Sequence, residues 1–262
     1  MEYRVPKELL GFQNYKTIKG EKRGWKTYIM YLSPHKANSR GVNLCPKASK
    51  GCAKACLFNS GNARFKKVTD ARLNKTEYFL SDLQGYMLQL DKELTKNKNK
   101  HFKTGDRNFA VRLNGTTDFR FENLKVKDGK NIFELHPDVQ FYDYTKIAKR
   151  LGKTLPKNYH LTFSRSEDNH EEVVEVLNNG GNVAVVFDKL PETYLGFPVI
   201  NGDNDDLRFL DEENVVVGLT YKVNSVEGGK ENNAYALETG FVVEVDKLTE
   251  VEIMGEIRLK VA

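Results

Sequence analysis

Cys45, Cys52 and Cys56 are the only cysteines in 262 residues, and they fall within twelve consecutive positions. Core cysteines scatter along a chain. Three thiols in one short segment mean that a single loop must carry them all. The segment reads Asn43-Leu44-Cys45-Pro46-Lys47-Ala48-Ser49-Lys50-Gly51-Cys52-Ala53-Lys54-Ala55-Cys56, a Cys-x6-Cys-x3-Cys spacing. Pro46 and Gly51 let such a loop turn three sulfurs towards one centre. Thiolate is a soft ligand that favours iron–sulfur clusters and zinc. Three states are open. A [4Fe–4S] cluster on Cys45, Cys52 and Cys56 would leave one iron open to a small molecule. Zinc would need a fourth ligand, for which His35 is near, although its spacing to Cys45 is not that of a zinc finger. The third state is three thiols, or one disulfide and a spare thiol. A stable disulfide is disfavoured where thiols stay reduced.

A chain of 262 residues accommodates one large domain or two small ones, and an α/β barrel commonly runs near this length as a single domain. The first twenty residues hold no apolar signal-peptide core, and no stretch approaches the ~20 apolar residues of a membrane helix. The expectation is a cytoplasmic protein with no membrane partner. The net charge is +5, from 41 basic and 36 acidic residues, which is a mild excess. Residues 1–103 are rich in Lys and Arg, and 167–250 in Asp and Glu. Lys92 to Lys100 reads as a polar helix end running into a loop.

Trp25 to Leu32 reads as a strand, ended by Ser33-Pro34, and the cysteine loop follows directly. Asn62 to Leu80 and Leu80 to Leu94 read as two helices, with Ser81 as the cap between them. Strands are then expected over 108–113, 139–143, 159–163, 183–187, 197–200 and 215–219. Helices are expected from Thr145 and over Glu171 to Asn178. The wholly apolar Val183-Ala184-Val185-Val186-Phe187 marks a buried parallel sheet. A hairpin over Tyr235 to Val245 and a strand near Val251 to Leu259 complete the tail. The fold class is α/β: a partial or complete (β/α) TIM-like barrel with a cluster-binding loop after its first strand. The domain reading is one domain over 1–262. It comprises an N-terminal extension (1–24), a barrel core (25–222, with the cluster loop at 33–60) and a C-terminal β extension (223–262).

In such a barrel the strand ends share one face, where chemistry sits. The polar groups there are Asn114 and Asp118, Asp143 beside Tyr144, Ser164 and Arg165, Asp203 and Asp206, and Tyr221 and Lys222. Ordinary turns use the same residue types. As cofactor or substrate contacts, Arg165 or Lys222 would pair with a carboxylate, and Asp118 or Asp143 with an amino or ribose group. His101, His136, His160 and His170 are scattered. No Ser/His/Asp motif, P-loop or dinucleotide fingerprint occurs.

This organisation resembles the radical S-adenosylmethionine (SAM) superfamily, whose usual spacing is Cys-x3-Cys-x2-Cys. It is closer to a set of uncharacterised bacteriophage iron–sulfur proteins described as radical-SAM-like. Ala48 to Cys56 is similar to their cysteine element, and Ala71 to Thr76 and Asn201 to Asp211 are similar to further pieces of them. The resemblance implies that Cys45, Cys52 and Cys56 hold a [4Fe–4S] cluster and that SAM binds the open iron. It also implies a host-cytoplasm location. Asn114-Gly115-Thr116-Thr117-Asp118 stands where the superfamily has its glycine-rich, SAM-binding element.

Three functions follow as expectations. The first is SAM-dependent radical chemistry on a small molecule. The second is electron transfer or redox sensing with an electron-donor partner and no SAM. The third is a zinc-stabilised nucleic-acid-binding protein, motivated by Arg64, Lys66, Lys67, Arg72 and Lys75 with Tyr78 and Phe79 nearby.

Overall fold

The computed structural model describes residues 3–12, 15–56, 65–152, 154–223 and 229–255. Its contacts divide the chain into two compact units. Unit 1 holds 1–46, 62–143 and 152–161, and unit 2 holds 47–61, 144–151 and 162–262. The strands are β1 (Leu10–Gly11), β2 (Lys26–Met30), β3 (Phe109–Arg112), β4 (Gln140–Thr145), β5 (Tyr159–Ser164), β6 (Val183–Phe187), β7 (Thr193–Tyr194), β8 (Phe197–Asn201) and β9 (Val216–Thr220). Their order is β1-β2-β3-β4-β5-β6-β9-β8-β7.

In unit 1, β2 runs parallel to β3 and β3 parallel to β4, while β1 pairs antiparallel with β2. In unit 2, β5, β6, β9 and β8 are successively parallel, and β7 closes an antiparallel hairpin with β8. The class is therefore mixed α/β with a mostly parallel sheet. The expected TIM-like barrel is corrected: the strand order ends at β1 and β7, and the sheet is not closed. Both terminal strands are two residues long and antiparallel to their neighbours.

In unit 1, α1 (Tyr15–Glu21) precedes β2, and α3 (Lys66–Ser81) and α4 (Leu83–Lys103) connect the cysteine segment to β3. Residues 62–64 of the expected first helix lie outside the described residues. The helix break falls at Asp82 (φ −140°), whose carboxylate accepts the Gly85 N–H at 2.8 Å. Asp82 is thus the cap, in place of the expected Ser81, because a carboxylate reaches the orphan amides of the next turn. Helix α4 runs on to Lys103, so the lysine-rich run is helix, not loop. Phe79, buried at 2% exposure, meets Tyr86, Phe119 and Phe121 with ring centroids 5.2, 5.2 and 5.8 Å away. A short helix α5 (Ile132–Leu135), opened by an Asn131/Glu134 capping box, precedes β4.

In unit 2, α2 (Lys50–Lys54) carries Cys52, and α6 (His170–Asn178) lays Val173, Val176 and Leu177 on Phe163, Val183 and Val185. No α-helix starts at Thr145; that stretch forms one short 3₁₀ turn, Ala148–Arg150. The tail is corrected too. Tyr235 lies in α7 (Gly229–Glu238), and Val251 in α8 (Glu250–Met254). The expected hairpin is replaced by α7 and by an isolated parallel bridge from Val243 to Phe187 of β6. Residues 256–259 of the expected last strand lie outside the described residues.

Candidate thiolate site and the polar strand ends

In unit 1 the parallel strands β2, β3 and β4 direct their carboxyl ends to one edge, where α/β proteins place their sites. The chain leaving β2 is pinned at once. The buried Ser33 N–H donates to Thr76 Oγ1 at 2.7 Å, and the Ser39 N–H and hydroxyl donate to Glu77 at 2.7 and 2.6 Å. Burial raises the Glu77 pKa, but the Ser39 hydrogen bonds and the Arg40 charge outweigh it, so the carboxyl lies below its usual range.

Cys45 is fixed by its neighbours on both sides. Leu44 is 1% exposed; its N–H donates to His35 O at 3.1 Å and its carbonyl accepts the Asp118 N–H at 2.9 Å. The Cys45 N–H donates to Asn43 Oδ1 at 2.9 Å. Its sulfur accepts the His35 backbone N–H at 3.2 Å and lies 3.6 Å from Thr116 O. His35 adopts φ +49°, the left-handed region that a non-glycine residue enters at a cost of about 1–3 kcal/mol. That conformation presents an amide donor to the Cys45 sulfur, whose own S–H points to Thr116 O. His35 therefore touches Cys45 through its backbone.

The turn after β3 lies against Cys45. The Gly115 N–H donates to Met30 O at 3.0 Å, and a Cβ there would stand 2.6 Å from both Met30 O and the Tyr31 ring. Only glycine fits this approach. Gly115→Ala is expected to lower stability by about 1–3 kcal/mol, since one of the atoms met is backbone. A denaturation midpoint unchanged from wild type would refute that reading.

Asn114 and Asp143 come together. Asn114 is 2% exposed, and its Oδ1 accepts the Thr117 hydroxyl and the Phe119 N–H, both at 2.8 Å. Its Nδ2 donates to Phe119 O at 3.0 Å and to Asp143 Oδ2 at 3.1 Å. That occupies all four hydrogen-bonding positions of the amide. Asp143 is fully buried. It also accepts the Asn114 N–H at 2.7 Å and the Tyr159 hydroxyl at 2.9 Å, and lies 3.9 Å from Arg112 Nε. Both residues shape the turn beside Cys45. Asp118 joins them through its backbone.

Unit 2 holds Cys52 through a residue that sequence reasoning missed. Ser49 caps α2 by accepting the Cys52 N–H at 3.1 Å. The Glu167 carboxylate accepts the Ser49 hydroxyl at 2.6 Å and the Gly51 N–H at 2.7 Å. Cys52 and Ala55 pack against Ala236, Phe241 and Val242. Glu167 lies three residues beyond β5, and nothing in its local sequence sets it apart from the neighbouring acids.

The remaining polar strand ends of unit 2 are held locally. Lys146 Nζ donates to Ser164 Oγ at 2.8 Å and Arg165 O at 3.1 Å. The Arg165 guanidinium donates to Gly240 O at 2.6 Å and Phe241 O at 3.0 Å. Arg165 also lines a cleft of about 320 Å³ with Tyr194, Glu238, Lys247 and Glu252. Burial raises the Tyr194 pKa. Asp203 accepts the Thr220 N–H at 2.9 Å and pairs with Lys222 Nζ at 3.1 Å. Burial raises its pKa, but these two contacts outweigh it and hold the carboxyl low. Asp206 accepts the Tyr144 hydroxyl at 3.3 Å, and the Tyr221 hydroxyl donates to Asn233 Oδ1 at 2.6 Å. Asp205 and Asp211 flank the buried Arg208, each at 3.2 Å.

The three cysteines are half-buried, and no disulfide joins them. Their chemistry suits a soft metal centre. Among the described residues, however, no three His, Cys, Asp or Glu side chains stand grouped to hold a metal ion.

A family model described as gene product 88 matches residues 8–242. The chain belongs to the gene product 88 family. The match takes in all nine strands and the three cysteines. The gene product 88 family is of phage type, which agrees with the phage part of the resemblance; the match indicates neither an iron–sulfur centre nor radical-SAM chemistry. No curated protein and no solved structure matches the chain. No described helix is long and apolar enough to cross a membrane.

Proposed function

We propose that this gene product 88 protein is a thiolate iron–sulfur protein of radical-SAM-like type, using Cys45, Cys52 and Cys56 as ligands to a [4Fe–4S] cluster. The observation that carries the reading is the backbone N–H of His35, turned onto the Cys45 sulfur by a left-handed residue. Strain of this kind collects at functional sites. A cluster would supply one-electron chemistry and an open iron for a small molecule such as SAM. The chain's own part is to hold Cys45 with the His35 amide and to anchor the Cys52 segment through Glu167.

The test is anaerobic reconstitution with iron and sulfide, followed by iron and sulfide analysis and EPR of the reduced protein with and without SAM. The expected result is near-stoichiometric cluster in the wild type and its loss in Cys45→Ser, Cys52→Ser and Cys56→Ser. A signal that shifts with SAM supports the enzyme reading, and one indifferent to SAM supports electron transfer or sensing. Absence of cluster from the wild type, or its retention in all three variants, overturns the proposal.

A further inference from the structure

The nucleic-acid expectation rested on Arg64, Lys66, Lys67, Arg72 and Lys75; Arg64 lies outside the described residues, Lys67 is exposed and the other three meet partners on the protein, so the described part of α3 offers no unbroken basic face. Lys75 donates to Leu9 O at 2.8 Å, and burial lowers its pKa; Arg72 lies 4.5 Å over the Tyr31 ring; Lys66 pairs with Asp70 at 2.7 Å. Tyr78 and Phe79 are core.

Helix α4 does present one. Its buried side is Tyr86, Met87, Leu90, Leu94 and His101. Lys92, Lys96, Lys100 and Lys103 follow one another at steps of four, four and three on the opposite side, and all four are exposed. None of the four forms an ion pair with a described residue. The two carboxylates nearest in the helix are turned elsewhere: Asp91 to His136 at 2.8 Å, and Glu93 to the Leu9 and Leu10 amides at 2.8 and 2.9 Å. Past the helix end the exposed Arg107 stacks on Phe102 at 4.9 Å.

Like charges at i,i+4 destabilise a helix. The helix dipole compensates Lys100 and Lys103 in the last turn, but its effect does not extend to Lys92 and Lys96. An ordinary solvated face alternates the sign of its charges; this one is cationic for about 16 Å along the axis.

We propose that the Lys92–Lys96–Lys100–Lys103 stripe of α4 binds the phosphate backbone of a nucleic-acid duplex, without reading its sequence. The inference is independent of any metal centre. Lysines act here as point charges that displace condensed counterions, so affinity falls with salt by about 0.9 log units per log unit for each contact. Four contacts give a slope of roughly −3.6, or about a hundred-fold loss between 50 and 200 mM salt.

The experiment is fluorescence anisotropy of roughly 24-base-pair labelled DNA and RNA duplexes, titrated with the full chain from about 20 mM salt upwards. The expected result is binding with a slope near −3.6, and a slope shallower by about 3–4 in Lys92→Gln/Lys96→Gln/Lys100→Gln/Lys103→Gln. Glutamine keeps helix propensity, and the single Lys96→Gln variant, with a change near 0.9, stands in if the fourfold variant does not fold. A control removes four other exposed lysines, as Lys125→Gln/Lys127→Gln/Lys130→Gln/Lys157→Gln. Binding of either duplex supports the proposal and tells which nucleic acid is preferred. It is overturned by no binding at low salt, by an unchanged slope in the stripe variants, or by an equal loss in the control. Binding only to anionic lipid vesicles also overturns it.

Discussion

Replacing Asp143 by alanine is expected to lower stability by about 4 kcal/mol, the largest effect of any single change at the strand ends. The carboxylate is fully buried and accepts the Asn114 N–H, Asn114 Nδ2 and the Tyr159 hydroxyl at 2.7, 3.1 and 2.9 Å. Alanine leaves three donors without this acceptor, each at about 1–3 kcal/mol, and removes the carboxylate 3.9 Å from Arg112 Nε. Asp143→Asn keeps one oxygen acceptor and should lose about half as much. Denaturation of the pair measures the difference. If alanine were neutral for stability, Asp143 would not be the structural anchor its geometry describes, and its expected role as a ligand contact would return.

Glu167→Ala is expected to lower stability by about 2–3 kcal/mol and to loosen the Cys52 segment. Two hydrogen bonds to a charged acceptor disappear, from the Ser49 hydroxyl at 2.6 Å and from the Gly51 N–H at 2.7 Å. Gly51 has no room to adjust inward, since a Cβ there would meet Phe241 Cβ at 2.6 Å and Thr239 Oγ1 at 2.8 Å. Loosening should appear as faster amide exchange over 49–55 and faster alkylation of Cys52, with Cys45 unchanged. Glu167→Gln, which keeps a neutral acceptor, should fall between. Equal alkylation rates at Cys52 in wild type and alanine variant would show that the clamp does not govern this cysteine.

Most strands were legible because apolar, β-branched and aromatic runs bounded by turn residues have few other solutions. Lys26–Met30, Phe109–Arg112, Tyr159–Ser164 and Val183–Phe187 all lie within a residue or two of expectation. The tail misled for the same reason. Residues 241–245 and 251–254 are rich in Val, Ile and Phe as strands are, but α8 is set by Thr249 and Glu252, which cap it reciprocally. That Thr-x-x-Glu signal was present in the sequence and outweighs β-propensity in so short a segment. The lysine run of α4 shows the converse: its composition suggests a loop, while the apolar positions Tyr86 to Leu94 carry the helix through it.

What the sequence determined by itself is local: the three thiols in one segment, the strand and helix periods, and the polar turns after the strands. Long-range pairing decided the rest. Whether parallel strands close into a barrel depends on which edges find partners, and here β1 and β7 end an open order. Which polar groups are spent on the fold also depends on distant partners. Asn114 is satisfied by a carboxylate 29 positions away, and the cap of the Cys52 helix by one 118 positions away. A hydrogen bond across that separation leaves no periodic mark in the chain, because only the folded backbone brings its two ends to about 3 Å.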